Sequence, residues 1–310
     1  MSTAWTKSLV QQHAQAAVSV ELYTLPFYFT ALSSIKDTGH TCYTDILGVC
    51  MEEMLHLQLA ANLCLALDAK PKFTVPIYGT AIPFLKPDDP ATKHYSLINA
   101  KLGALDQTTL QTMLDIETPE EFQIKDKHEP QTVYNSISQM YAALLAGIEA
   151  VGTSKFSWST TNQQMFWSGQ DFKQHITDLS DAKNAIDTIG EQGEGKASSS
   201  LPVAPFSETD FPIPSKHQLV NEGFDTKNQY SHYGRFIHIQ NLGTFPAVYQ
   251  LSESSPDQTK ALAKLKSDFA GVITSLNTLW DGGGGNIWSM TSLLADAEAC
   301  WKAGVVPKWS

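Results

Sequence analysis

The sequence predicts an all-α fold: a four-helix bundle core with long crossover connections and additional C-terminal helices. Three observations carry that prediction. Four segments repeat apolar residues at three- and four-residue steps with almost no breakers, each stripe holds one or two polar residues near its middle, and the tracts between the segments are mostly too long for simple hairpins.

The first segment, about 5–34, sets Ala14, Ala17, Glu21, Leu25, Tyr28 and Leu32 along one face. Pro26 falls inside it and is expected to kink the helix or open its hydrogen-bond ladder, which is tolerated beside a cavity. The second, about 44–67, gives Ile46, Cys50, Glu53, His56, Ala60 and Cys64. After the Pro-rich tract PKFTVPIYGTAIPFLKPDDP, the third, about 132–151, gives Val133, Ser136, Gln139, Ala143, Ala146 and Ala150. A long excursion with a helical piece at 180–189 and the loop GEQGEGKASSSLP leads to the fourth, about 228–239, whose stripe holds Gln229, His232, Tyr233 and Phe236. Helices at about 257–280 and 286–303 flank the run DGGGGN and are expected outside the core. No composition shift or internal repeat divides the chain, so residues 1–310 read as one domain.

Of the 310 residues, 42% are hydrophobic and 17% charged, which suits a well-buried chain. The net charge of -11, without any cluster of Lys and Arg, argues against nucleic acid and anionic membrane surfaces as partners. An uncharged or cationic small molecule fits better, with a homodimer as the protein partner considered. Residues 1–20 lack a basic region followed by an apolar core, and no apolar run nears the roughly 20 residues that span a bilayer. Cys42, Cys50, Cys64 and Cys300 have no C-x-x-C spacing and read as reduced thiols, so a cytoplasmic location is expected.

Glu53 and His56 stand one helical turn apart in E-x-x-H spacing. Alone, that pair describes a solvated ion pair as well as a site. Here it lies inside an apolar stripe, where an unpartnered charge is expensive. Gln229 and His232 repeat the spacing, while the first and third segments contribute a lone Glu21 and a lone Gln139. Four-helix carboxylate proteins build two-metal centres from one Glu on each of two helices and Glu-x-x-His on each of the other two. The chain has that layout with two glutamates replaced by glutamine.

The blocks ELYTLPFYFTAL, EEMLHLQLAANLCLAL, MLDIETPEEF, SISQMYAAL, AIDTIGEQGEG and QYSHYGRF, in order between about residues 10 and 250, resemble the ferritin-like domain of the iminophenyl-pyruvate dimer synthase family. That family includes enzymes that couple oxidised aromatic amino acids on the way to violacein and chromopyrrolic acid. The resemblance implies a ferritin-like fold and metal-dependent oxidative chemistry on imines or related intermediates. It carries the inward ligands onto Glu21, Glu53, His56, Gln139, Gln229 and His232, with Gln139 and Gln229 departing from a pattern that has Glu at both places.

With two acids left, charge matches one divalent cation. One reading is therefore a single Fe(II), or Mn(II), held by Glu21, Glu53 and His56, with His232 a further ligand or a substrate-binding group and a second metal site in doubt. Gln139, Gln229, Tyr28, Tyr141 and Tyr233 would support the ligands or line a pocket. A second reading drops the metal and uses Glu21, Glu53, His56 and His232 as general acids and bases for a cyclisation, isomerisation or condensation. A third has a degenerate, non-catalytic binding site. Glu52 points about 100° from Glu53 and is expected to orient a neighbour such as Arg235. GEQGEGK has phosphate-loop spacing, but Ala197 follows Lys196, Glu191 and Glu194 repel phosphate, and a helix precedes it, so nucleotide binding is rejected. DGGGGN reads as an interhelical turn. The remaining histidines, His94 and His128 among them, have no stripe or spacing to support a role.

Overall fold

The computed structural model describes residues 4–78, 84–85, 100–119, 133–134, 136–166, 175–195, 205–219 and 227–310. His94, His128 and Lys196 lie outside the described residues. The first two apolar segments form α1 (Lys7–Ser33) and α2 (Thr41–Ala66), which pack along each other. Thr6 caps α1 by accepting from the Leu9 amide, and His40 caps α2 by accepting from the Cys42 amide. Residues 21–35 are all buried, so the C-terminal half of α1 is fully enclosed. The helix runs through Pro26, and the Tyr78 hydroxyl donates to the Tyr23 carbonyl (2.7 Å) within the turn that the proline opens.

Two further helices close the bundle. After the short α3 (Gln107–Ile116, capped by Asp106), α4 (Ile137–Val151) starts at its cap Ser136, and α5 (Leu179–Gln192) starts at its cap Asp178. α1 packs on α2 and α4, α2 packs on α5, and α4 packs on α5. The third helix is shorter than expected, because Val133–Tyr134 form a strand, β2, paired in parallel with β1 (Phe84–Leu85).

The expectation that 228–239 is the fourth core helix is corrected: α5 takes that place. Tyr230 pairs with Pro212 in an antiparallel bridge, and the Ser231 side chain accepts from the Gly234 amide, so α6 (His232–Asn241) begins only at His232. α6 packs against α2 and α3 from outside the four. As expected, α7 (Pro256–Leu279) and α8 (Ser289–Lys302) form a peripheral pair, with α8 resting on α1. Trp301 and Trp309 tie the C-terminal end to Thr30 of α1, their indole N–H groups donating to its carbonyl and hydroxyl at 2.9 Å. The four cysteines are buried free thiols, and among the described residues no helix is long and apolar enough to cross a membrane.

Candidate metal centre

The i, i+3 spacing on α2 turns Glu53 and His56 together toward Glu21 of α1. His56 Nδ1 lies 3.7 Å from Glu21 Oε2 and 3.8 Å from Glu53 Oε1. His232, the first residue of α6, brings its Nδ1 to 3.1 Å from Glu53 Oε1, and the two imidazoles stack with centroids 5.2 Å apart. Ligand atoms of Glu53, His56 and His232 all lie within 4.8 Å of one another, and all three side chains are buried. Glu53 therefore stands between two histidines, each with its own outer neighbour.

That neighbour for His56 is Glu21. For His232 it is Glu117, whose Oε1 lies 3.5 Å from His232 Nδ1. Glu117 sits just past the C-terminal end of α3, outside the bundle helices, and sequence reasoning missed it. Its signal in MLDIETPEEF is an acid at the end of a helical run, a position that no helical stripe marks.

Each inward group is held from behind. Gln192 donates to the His217 carbonyl (2.5 Å), which fixes its amide so that Oε1 accepts from His56 Nε2 (2.9 Å). Glu52 takes His232 Nε2 at 3.0 Å and the Arg235 guanidinium at 2.8 Å, so the expected Glu52–Arg235 pair forms and orients a histidine as well. With both Nε2 positions tied, both Nδ1 atoms face the carboxylates, the arrangement that orients metal-binding imidazoles. Tyr141 donates to Glu21 Oε1 and Tyr28 to Glu117 Oε1, each at 2.6 Å, while Thr24 donates to Glu53 Oε2 at 2.5 Å.

Three expected contributors lie elsewhere. Gln139 is buried on α4, but it is two residues from Tyr141 and thus about 200° around the helix from the residue that faces the cluster. Gln229 is half-buried in the turn before α6, where its backbone carbonyl accepts from the Ile213 amide; no helix joins it to His232. Tyr233 packs edge-on against Phe211 (4.8 Å) and lines a groove with Leu114 and Ile237 beyond α6, because successive helical residues diverge by about 100°.

Burial raises Glu21 well above the usual carboxylate range, and Glu53 adds to the rise. Burial also raises Glu117, outweighing the pull of His232. For Glu53 burial acts the same way, but the contacts with His232 and His56 prevail and the carboxyl is lowered. Burial pushes His56 down to about 4, so its imidazole is neutral. His232 also loses solvation, yet its contacts with Glu117, Glu52 and Glu53 hold it well above its ordinary value. Three carboxyl groups thus crowd one buried space, and a cation bound among them would offset the cost of burying their charged forms.

A divalent metal fits these residues. The fully buried His232 Nδ1 faces two carboxylates, at 3.1 Å from Glu53 and 3.5 Å from Glu117, and converging carboxylate and imidazole donors of this kind suit a divalent ion such as iron or manganese. The restriction to one cation rested on two acids. Glu117 supplies a third, so the charge present no longer restricts the site to one cation.

Beside the cluster a cavity of about 240 Å³ opens between α4 and α5. Ile137, Leu145, Ile186 and Ile189 form apolar walls, and Glu191 and Glu194 add acidic groups. A cavity of roughly 150 Å³ holds benzene, so this one takes a ring with a short substituent.

A family model described as ferritin-like matches residues 14–241. The chain belongs to the ferritin-like family. The crystal structure of a ferritin-like protein from Caulobacter vibrioides is similar over 99% of each chain, at 30% identity and a TM-score of 0.77. No curated protein matches. In this ferritin-like chain two of the inward groups, Glu117 and His232, come from segments packed outside the four bundle helices.

Proposed function

We propose that the chain is a metal-dependent oxidoreductase, an oxidase, oxygenase or oxidative coupling enzyme, that acts on a small aromatic or otherwise apolar molecule. The observation that carries this reading is the convergence of His56 Nδ1 and His232 Nδ1 on Glu53, with Glu21 and Glu117 flanking them. Glu21, Glu53 and His56 would hold one divalent cation, Fe(II) or Mn(II), and Glu53, Glu117 and His232 a second. Bound there, a redox-active metal supplies one-electron chemistry with dioxygen. Kinship with the iminophenyl-pyruvate dimer synthase family, supported by the sequence blocks above, would make the substrate an imine or amine of specialised metabolism.

The side chains have separate tasks in this proposal. Tyr141 and Tyr28 hold the outer carboxylates, Thr24 holds Glu53, and Gln192 and Glu52 keep the imidazoles in the tautomer that presents Nδ1. The isoleucine and leucine walls bind the apolar part of the substrate and keep water out, while Glu191 and Glu194 disfavour an anionic one.

One observation favours a metal-free acid–base enzyme instead: Glu21 is raised and Glu53 lowered, a division that suits a proton donor paired with an acceptor. Dioxygen uptake by the Fe(II)-reconstituted chain, with aromatic amines and imines as candidate substrates, separates the two. The oxidative reading expects uptake that rises with substrate and stops with Zn(II) in place of iron. Substrate conversion that persists under Zn(II) or chelation would leave the acid–base reading standing.

A further inference from the structure

We infer that residues 192–195, the end of the GEQGEG stretch (190–195) whose spacing imitates a phosphate loop, are the positioning element for the Glu117/His232 half of the centre. The inference rests on the two-cation reading above and adds the residues that make its second half buildable.

Four consecutive residues at the end of α5 touch four separate parts of the site. Gln192 holds the His56 imidazole. A Cβ on Gly193 would lie 3.1 Å from Glu117 Oε2 and 3.1 Å from the Ile189 carbonyl, and the Gly193 carbonyl accepts from the Tyr233 amide (3.2 Å). Glu194 accepts from the Ser138 amide at the start of α4 (3.2 Å), and its carbonyl meets the Ser231 hydroxyl at 3.4 Å. A Cβ on Gly195 would lie 2.6 Å from Ser231 Oγ, the group that caps α6 immediately before His232.

The two glycines therefore do different steric work for the two members of one half-site. Gly193 leaves room for the Glu117 carboxylate. Gly195, at φ +72°, takes a backbone conformation that L side chains rarely adopt and lets the capping serine approach. Neither Glu117 nor His232 belongs to the bundle, and this end of a bundle helix sets the position of each. Glu21, Glu53 and His56 depend on these glycines for nothing steric.

The test is Mn(II) loading of the full chain, read as metal per protein and by electron paramagnetic resonance, which separates an exchange-coupled pair from an isolated ion. Wild type is expected to take two equivalents and give the coupled signal. Gly193→Val and Gly195→Ala should retain the first equivalent but weaken the second by about tenfold or more, the scale seen when groups that support metal ligands are lost, and leave an isolated-ion signal. Gly190→Ala, whose added methyl would meet nothing within 4 Å, should keep both equivalents. Circular dichroism of the metal-free variants checks folding, and if Gly195→Ala does not fold, Gly193→Val decides alone. Two equivalents with a coupled signal in the folded glycine variants would overturn the role of the loop and leave the two-cation reading intact. A wild type that takes fewer than two would remove the reading on which it rests.

Discussion

Glu117 changes the charge count of the centre more than any other residue. Its carboxylate lies on His232 Nδ1 at 3.5 Å and accepts from Tyr28 at 2.6 Å. Glu117→Gln keeps the shape and removes the charge, so the second metal equivalent should be lost and the first retained, as read by elemental analysis after dialysis. Arg235 is the opposite case, a buried cation whose guanidinium donates to Glu52 and to the Tyr230 carbonyl. Arg235→Met strands the Glu52 charge and should lower stability by about 3 to 5 kcal/mol, measured by denaturant unfolding; a loss under about 1 kcal/mol would show that His232 alone suffices to compensate Glu52. Glu53 and His56 were legible in the sequence because both sit in one apolar stripe one turn apart. Glu117 was not, because no helical period marks a residue just beyond the end of a short helix. Gln229 was misread for a related reason: a three-residue spacing carries geometry only inside a helix, and Ser231 starts that helix after it.

The long elements explain themselves. α1 and α2 read correctly because their stripes run unbroken over many turns and their burial is nearly complete. α5 was passed over as a bundle member because LSDAKNAIDTIGEQ offers only a narrow face, Ala182, Ala185, Ile186 and Ile189, while the region of α6 is richer in aromatics. The choice between them depended on which helix meets both α2 and α4, a tertiary fact without a local signature. Packing at the start of the bundle makes an element-scale prediction. A Cβ on Gly147 of α4 would fall 2.6 Å from the Trp5 ring, so Gly147→Ala overpacks this contact and should cost about 1 to 3 kcal/mol in thermal or denaturant unfolding. No change would mean that Trp5 does not lie against α4.

For the whole molecule, stability depends on pH and on metal. His13 is buried between the Leu9 carbonyl and the Tyr134 hydroxyl, and burial lowers its pKa. Its folded value is below the unfolded value of about 6.5, so in the interval between them the unfolded chain binds a proton that the folded chain does not. Its contribution is therefore fully present above about pH 6.5 and declines as pH falls toward the folded value. Melting of the chelated protein at about pH 7.5 and about pH 5.5 should show a fall that His13→Gln reduces. Metal should act on the same molecule in the opposite sense. A cation that binds the folded cluster at a free concentration of about 100 Kd stabilises it by about 2.7 kcal/mol, visible as a higher Tm with Mn(II) than with chelator.

Anomalous diffraction from crystals of the Mn(II)-loaded chain, combined with elemental analysis, tests the central claim most directly. Two anomalous peaks are expected, one among Glu21, Glu53 and His56 and one among Glu53, Glu117 and His232, with the second absent in Glu117→Gln. A single peak in wild type would contradict the role assigned to Glu117, and no peak after full reconstitution would contradict the metal centre itself.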